Sequence, residues 1–179
     1  MKRIARTLSL ALALLLALGA FGALAEANAG VKITAQAFPD ARFRAYVKAA
    51  FDKDGNGVLS AKELQSAVAI RIDRSAYRVR SLKGIERFTA LRYLTLIGAD
   101  GDSYLAVKGL DLSGNRKLER LTLEKVRLGK LDLVRNTRLR ELWINDCDIA
   151  ALDLAKNRRL EKVDIGNCAR LRALDLTGN

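Results

Sequence analysis

A repeat of about twenty-one residues constrains the second half of this chain more than any other feature. Leu-Asp-Leu stands at 110–112, 131–133, 152–154 and 174–176, each followed three residues on by Asn115, Asn136, Asn157 and Asn179. The starts are 21, 21 and 22 residues apart. Half a period away lies a second apolar pair: Leu94 and Leu96, Leu121 and Leu123, Leu142 and Ile144, Val163 and Ile165. Apolar residues two apart, with a polar one between, fit a strand with alternate side chains inward and not a helix. No single unit of this length buries its own apolar face, so the units must stack as coils around a continuous core. Two strands per coil, one in each half-repeat, are expected.

Written out, residues 139–159 read Leu-x-x-Leu-x-Ile-x-x-Cys-x-Ile-x-x-Leu-Asp-Leu-x-x-Asn-x-x. This is the leucine-rich-repeat pattern, with Val126, Cys147 and Cys168 at the ninth place of successive units. An inward Asn has both a donor and an acceptor, so stacked Asn side chains are predicted to satisfy turn backbone groups as a ladder. Cys147 and Cys168 are predicted as buried free thiols of the same kind. Oxidation to a disulfide stays open, because stacked strands lie about 4.8 Å apart. Asp111, Asp132, Asp153 and Asp175 are predicted to stack outward, repelling by roughly 0.8 kcal/mol per neighbouring pair in water. Arg116, Lys117, Arg138, Arg158 and Arg159 are placed to offset this, and a cation-binding strip is the alternative. An acidic, turn-rich insertion at 97–103 interrupts the period.

Residues 52–63 read Asp-Lys-Asp-Gly-Asn-Gly-Val-Leu-Ser-Ala-Lys-Glu, filling every fixed place of the twelve-residue calcium loop. Asp52, Asp54 and Asn56 supply side-chain oxygens, Val58 its carbonyl, Ser60 a contact through water, and Glu63 two oxygens. Gly57 allows the sharp turn. Hard oxygen ligands with three carboxylates select Ca2+ before zinc. The apolar spacing of Phe43, Tyr46, Val47, Ala50 and Phe51 predicts a helix over 40–51, after Pro39. Ser60 and Glu63 form a capping box for a second helix carrying Leu64, Val68 and Ile70. One such loop is present, so Leu59 and both helices are expected to cover the first coil.

The amino terminus reads differently. Lys2, Arg3 and Arg6 precede an uncharged apolar run, Leu8 to Leu24, followed by the small-x-small triplets 23–25 and 27–29. That order predicts a secretory signal peptide at 1–25, with cleavage possible up to 29. An uncleaved anchor is the alternative. Loss of residues 1–25 removes three basic residues and no acidic ones, lowering the net charge from +12 to +9. A basic protein favours anionic partners. The chain has no histidine, which excludes imidazole bases, imidazole ligands and Ser-His or Cys-His triads. No enzyme is predicted.

The stretch from Phe38-Pro39-Asp40 through the calcium loop to Ser81-Leu82-Lys83-Gly84-Ile85 resembles secreted EF-hand/leucine-rich-repeat proteins of bacteria. More loosely, the chain resembles the internalin-like repeat proteins of cell surfaces. The resemblance implies an α+β fold: an EF-hand at 32–71 capping a short solenoid, a transition at 72–90, and repeats over 91–179. Asp52, Asp54, Asn56, Ser60 and Glu63 match its calcium positions. The repeats stop at Asn179 in mid-unit, so an open or truncated end is expected.

It further implies a secreted or cell-surface module that recognises a protein or glycan. The alternatives are a targeting fragment of a larger secreted enzyme or wall protein, and a nonspecific polyanion binder resting on Arg71, Arg74, Arg78 and Arg80. Few aromatics interleave those arginines, which speaks against nucleic acid. The expected binding face consists of Arg120 and Thr122, Glu141 and Trp143, Lys162 and Asp164, pointing outward in rows. Trp143 serves there as an interface anchor or as cover for its neighbours.

Overall fold

The computed structural model describes residues 30–179 other than 100, 102, 103 and 108. The expected signal peptide and both cleavage positions lie outside the described residues, as does part of the 97–103 insertion. In chain order, β1 (Val31–Lys32) precedes α1 (Ala41–Phe51), and β2 (Val58–Leu59) precedes α2 (Ala61–Ser66). Then come β3 (Ala69–Asp73), a 3-10 turn at Ile85–Arg87, β4 (Tyr93–Ile97), β5 (Leu105–Ala106) and β6 (Arg120–Glu124). The chain continues through β7 (Val126–Arg127), β8 (Glu141–Asn145), β9 (Ala151–Asp153), β10 (Lys162–Gly166) and β11 (Ala173–Asp175).

Strands β3, β4, β6, β8 and β10 form one parallel sheet, each paired with the strand one coil away. The register stacks like on like: Ile70, Leu94, Leu121, Leu142 and Val163 form one inward row, and Ile72, Leu96, Leu123, Ile144 and Ile165 the next. From β3 to β8 these two rows are buried, and they continue into one core with Leu112, Leu133 and Leu154 of the opposite half-coil. On β10, Val163 is 36% exposed, because no described strand pairs with its outer side.

The second strand of each coil is only partly realised. Among the described residues, Leu-Asp-Leu is extended and paired in the last two coils alone, as β9 with β11. Earlier, the second pairing falls on β5 with β7 instead. The Asp of each repeat is held in the same way in all four coils, paired or not. Its Oδ1 accepts the backbone N–H two residues on: Ser113 at 2.9 Å, Val134 at 3.0 Å, Ala155 at 2.9 Å and Thr177 at 2.8 Å. The outward aspartates therefore close the turns that end each half-coil. This hydrogen bond, and no ion pair among the described residues, steadies each carboxylate. Backbone and side-chain bonds from Ser113 hold the Asp111 carboxyl below its usual range, and bonds from Thr177 do the same for Asp175.

The asparagines lie inside and are fully buried at 115, 136 and 157. Each Nδ2 donates to two carbonyls of the preceding coil: Asn136 to Leu112 O at 3.0 Å and Asn115 O at 2.9 Å, Asn157 to Leu133 O at 3.0 Å and Asn136 O at 2.9 Å. Asn115 starts the series on Ile85 O and Phe88 O, both at 2.9 Å. The expected ladder is thus present but one-sided. The Oδ1 atoms of Asn115, Asn136 and Asn157 are buried with no hydrogen-bond partner among the described residues. The turns present carbonyls inward, so the amide is needed there as a donor.

The cysteines occupy the expected inward place and are unpaired. Cys147 is buried, its Sγ 3.4 Å from Asn145 O, while Cys168 is half-buried and 3.2 Å from Gly166 O. Desolvation pushes the Cys147 thiol up to about 12, which suppresses the reactive thiolate.

At the amino-terminal edge two expectations change. The second helix ends at Ser66, so Val68 is exposed and Ile70 lies on a strand. The parallel sheet also begins at Ala69 and not after residue 90. The alternation of Ile70 and Ile72 lets β3 pair with β4 over five residues, which outweighs one more helical turn. Helix α1 and the calcium-type loop cover this edge. Phe38 and Phe51 pack on Phe88 of the first coil, with ring centroids 6.1 and 5.1 Å away. Gly84 has φ 105, and a Cβ there would lie 2.4 Å from the Phe38 ring, so only glycine allows this approach.

Asp40 ties the cap down. Its Oδ1 accepts Arg42 and Phe43 N–H at 2.9 Å and caps α1, while Oδ2 accepts Arg80 N–H at 2.8 Å and Ser81 N–H at 3.2 Å. Burial raises its pKa, but the backbone bonds from Phe43, Arg80, Arg42 and Ser81 outweigh this and hold it below its ordinary value. A depressed folded pKa makes the contribution complete above the unfolded value and lost as pH falls through the folded one. Asp40→Ala should therefore lower stability by about 2 kcal/mol at neutral pH. In urea unfolding, that deficit should shrink below about pH 4. An unchanged midpoint at pH 7 would assign the tie elsewhere.

Candidate functional site

The loop between α1 and α2 brings its acidic residues together. Asp52, Asp54 and Glu63 each offer an oxygen within 4.8 Å of the others. The sequence dictates the local path. Gly55 and Gly57 take φ of 72 and 78, which L side chains resist, and Asp54 and Asn56 each accept a backbone N–H two residues on, at 3.1 and 2.7 Å. Asp52 Oδ2 accepts Gly57 N–H at 3.0 Å across the loop.

Glu63 closes the ring. One carboxylate oxygen accepts Lys53 N–H at 2.7 Å, and the other accepts Ser60 N–H at 2.8 Å and the Ser60 hydroxyl at 2.7 Å. The Ser60 hydroxyl bond leads the effects that lower the Glu63 pKa. The capping box expected from Ser60 and Glu63 is present.

One atom is left over. Asp52 Oδ1 is buried and has no hydrogen-bond partner among the described residues. A buried acceptor left bare is costly unless a cation or water meets it.

The short strand of the loop is paired by the chain's own amino-terminal segment. β1 pairs antiparallel with β2, Val31 opposite Leu59 and Lys32 opposite Val58. Leu59 is buried as a result, and Ile33 N–H reaches Gly57 O at 2.9 Å. Sequence reasoning required a partner for Leu59 but did not find this one, because two residues carry no periodic signal.

The outward side of the parallel sheet is the second candidate. Register aligns Tyr93, Arg120, Glu141 and Lys162 in one row, and Thr95, Thr122, Trp143 and Asp164 in the next. All six residues named from the sequence thus share one face. Five of them, all but Lys162, line a cavity of about 730 Å³ together with Glu124 and Asn145. Lys162 Nζ stands 4.0 Å over the Trp143 ring, and Arg120 sits 5.8 Å over Tyr93. Arg120 meets Glu141 through two bonds, of 2.8 and 2.7 Å, which lower the Glu141 pKa and raise that of Arg120. Trp143 Nε1–H points at Glu141 Oε2 at 3.4 Å. Tyr93, Thr95, Glu124 and Asn145 belong to this face but were missed, although the Leu94–Leu96 pair marked the strand of the first two and the alternation of β6 and β8 extends to the others.

Stacked parallel strands with inward Leu rows and an Asn ladder define a leucine-rich-repeat solenoid. Comparison with solved structures agrees. The functional domain of InlJ from Listeria monocytogenes, which includes a cysteine ladder, superposes with a TM-score of 0.56 at 22% identity over 84% of this chain. The internalin InlF from Listeria monocytogenes superposes with a TM-score of 0.60 at 24% identity over 81%. The match spans 36% and 45% of those two chains. The likeness is one of fold. No protein-family model and no curated protein matches the sequence. Among the described residues, no helix is long and apolar enough to cross a membrane.

Proposed function

We propose that this chain is a secreted recognition module, binding a protein or glycan through the sheet face around Trp143, with calcium holding its amino-terminal cap. The observation that carries the reading is the outward face itself. It joins one half-buried Trp to charged residues already arranged by ion pairs, over a cavity large enough for a side chain or sugar. Arg120, Glu141 and Lys162 are pre-positioned, so ordering them on binding costs little.

The test is a screen of protein and glycan arrays with the chain from residue 30 on, in calcium. Any ligand found is then titrated against Trp143→Ala. Affinity should fall by about 2 kcal/mol, with the circular dichroism and melting of the free protein nearly unchanged. Affinity equal to wild type would remove this face from the function.

The calcium reading rests on fit. Asp52, Asp54, Asn56, Ser60 and Glu63, with the Val58 carbonyl, supply the oxygen set and spacing that a hard divalent cation needs. The bare, buried Asp52 Oδ1 is the acceptor such an ion would meet. A calcium ion held by Asp52, Asp54 and Glu63 would offset two of their three crowded negative charges. The chain's own part is to fix the loop between α1, α2 and β1, so that order in the loop is passed to the cap.

A further inference from the structure

We propose a second binding surface, away from the sheet face: an arginine ladder on the asparagine-turn flank that takes a linear acidic glycan. The residues after each buried Asn face outward as Arg116-Lys117, Thr137-Arg138 and Arg158-Arg159, and all are exposed. Asn136 and Asn157 bond to the backbone of the Asn one coil before, so the residues that follow are locked in the same stack. Lys117, Arg138 and Arg159 therefore form one column, with a rung about every 4.8 Å.

None of these side chains has a carboxylate partner among the described residues. The neighbouring acids are already engaged, Glu119 by Arg92 at 3.6 Å and Glu161 by Arg140. Arg138, Arg158 and Arg159 border a shallow cavity of about 440 Å³ that Arg140 and the two engaged acids, Glu119 and Glu161, also line.

Unpaired guanidinium groups in a fixed row are suited to bidentate recognition of oxyanions. The spacing selects the polymer. One rung is close to the length of one pyranose residue, so a glycan with a sulfate or carboxylate on each sugar keeps register with the column. No aromatic residue lines this cavity, so stacked bases would find no platform there.

The experiment titrates the chain with a heparin octasaccharide, and in parallel with polyphosphate and single-stranded DNA of equal charge. One triple variant, Arg138→Gln with Arg158→Gln and Arg159→Gln, is compared with another, Arg74→Gln with Arg78→Gln and Arg80→Gln. Both lose three charges, and both are checked for native melting. The first should weaken the octasaccharide by about tenfold or more, and the second by about twofold or less. Polyphosphate and DNA should bind more weakly than the glycan at the same ionic strength. Equal losses in the two variants, equal affinity for all three polymers, or no octasaccharide binding at low salt would each overturn the proposal.

Discussion

Replacing Asn136 by Ala should lower the unfolding free energy by about 3 kcal/mol, because two buried carbonyls lose their donor at once. Those carbonyls are Leu112 O and Asn115 O, 3.0 and 2.9 Å from Nδ2, deep between two coils. Asn136 is fully buried, so both bonds are shielded from bulk solvent. Asn136→Asp should be at least as harmful, as it exchanges the donor for a buried charge. Asp132→Ala, one turn away, is the control. It removes a single bond to Val134 N–H at an exposed position and should cost about 1 kcal/mol. Urea unfolding followed by circular dichroism gives both values. A loss at Asn136 no larger than that at Asp132 would refute the ladder as a main support of the stack.

Calcium should raise the stability of the chain by about 1.4 kcal/mol at a concentration tenfold above its dissociation constant, and by about 2.7 kcal/mol at a hundredfold. The concentrations to test are those of extracellular calcium loops, about 10⁻⁴–10⁻³ M, and Lys53 and Lys62 within the loop should weaken attraction further. Glu63→Gln should abolish the response, because the amide replaces a two-oxygen anion with one neutral acceptor. Thermal melts and calorimetry, with calcium and with chelator, measure this directly. Val31 pairs with Leu59 behind the loop, so hydrogen exchange at β1 and β2 should slow with calcium as well. Melting indifferent to chelator, with no binding heat at millimolar calcium, would reduce the loop to a turn between helices.

These two tests probe parts of the chain that were legible to different degrees. The inward rows, the Asn and Cys places and the shared face of Arg120, Thr122, Glu141, Trp143, Lys162 and Asp164 follow from a period that repeats. A period of two within a strand and of twenty-one between coils leaves one register that buries all the leucines. The turns of the 52–63 loop were also legible, since Gly55 and Gly57 and the Asp and Asn side chains that close them stand where the sequence places them.

What the sequence left open depends on contacts between segments with no pattern of their own. Ile70 fits a helix after Ser60 or a strand, and only the waiting edge of β4 makes it a strand. Leu59 needed a cover, and Val31, far away in the chain, supplies it. Asp40 falls at the start of the expected helix, but only the fold shows its second oxygen holding residues 80 and 81, forty positions on. The arginines of the turns looked like counterions for the aspartate column. Folding instead ties those aspartates to their own backbone and leaves the arginines facing solvent in a row. The sequence by itself determined the coil, its inward residues and the oxygen set of the loop, because local periodicity and turn chemistry encode them. Tertiary structure alone decided which edges pair and which charges stay free, because those depend on distances between residues that the chain brings together only on folding.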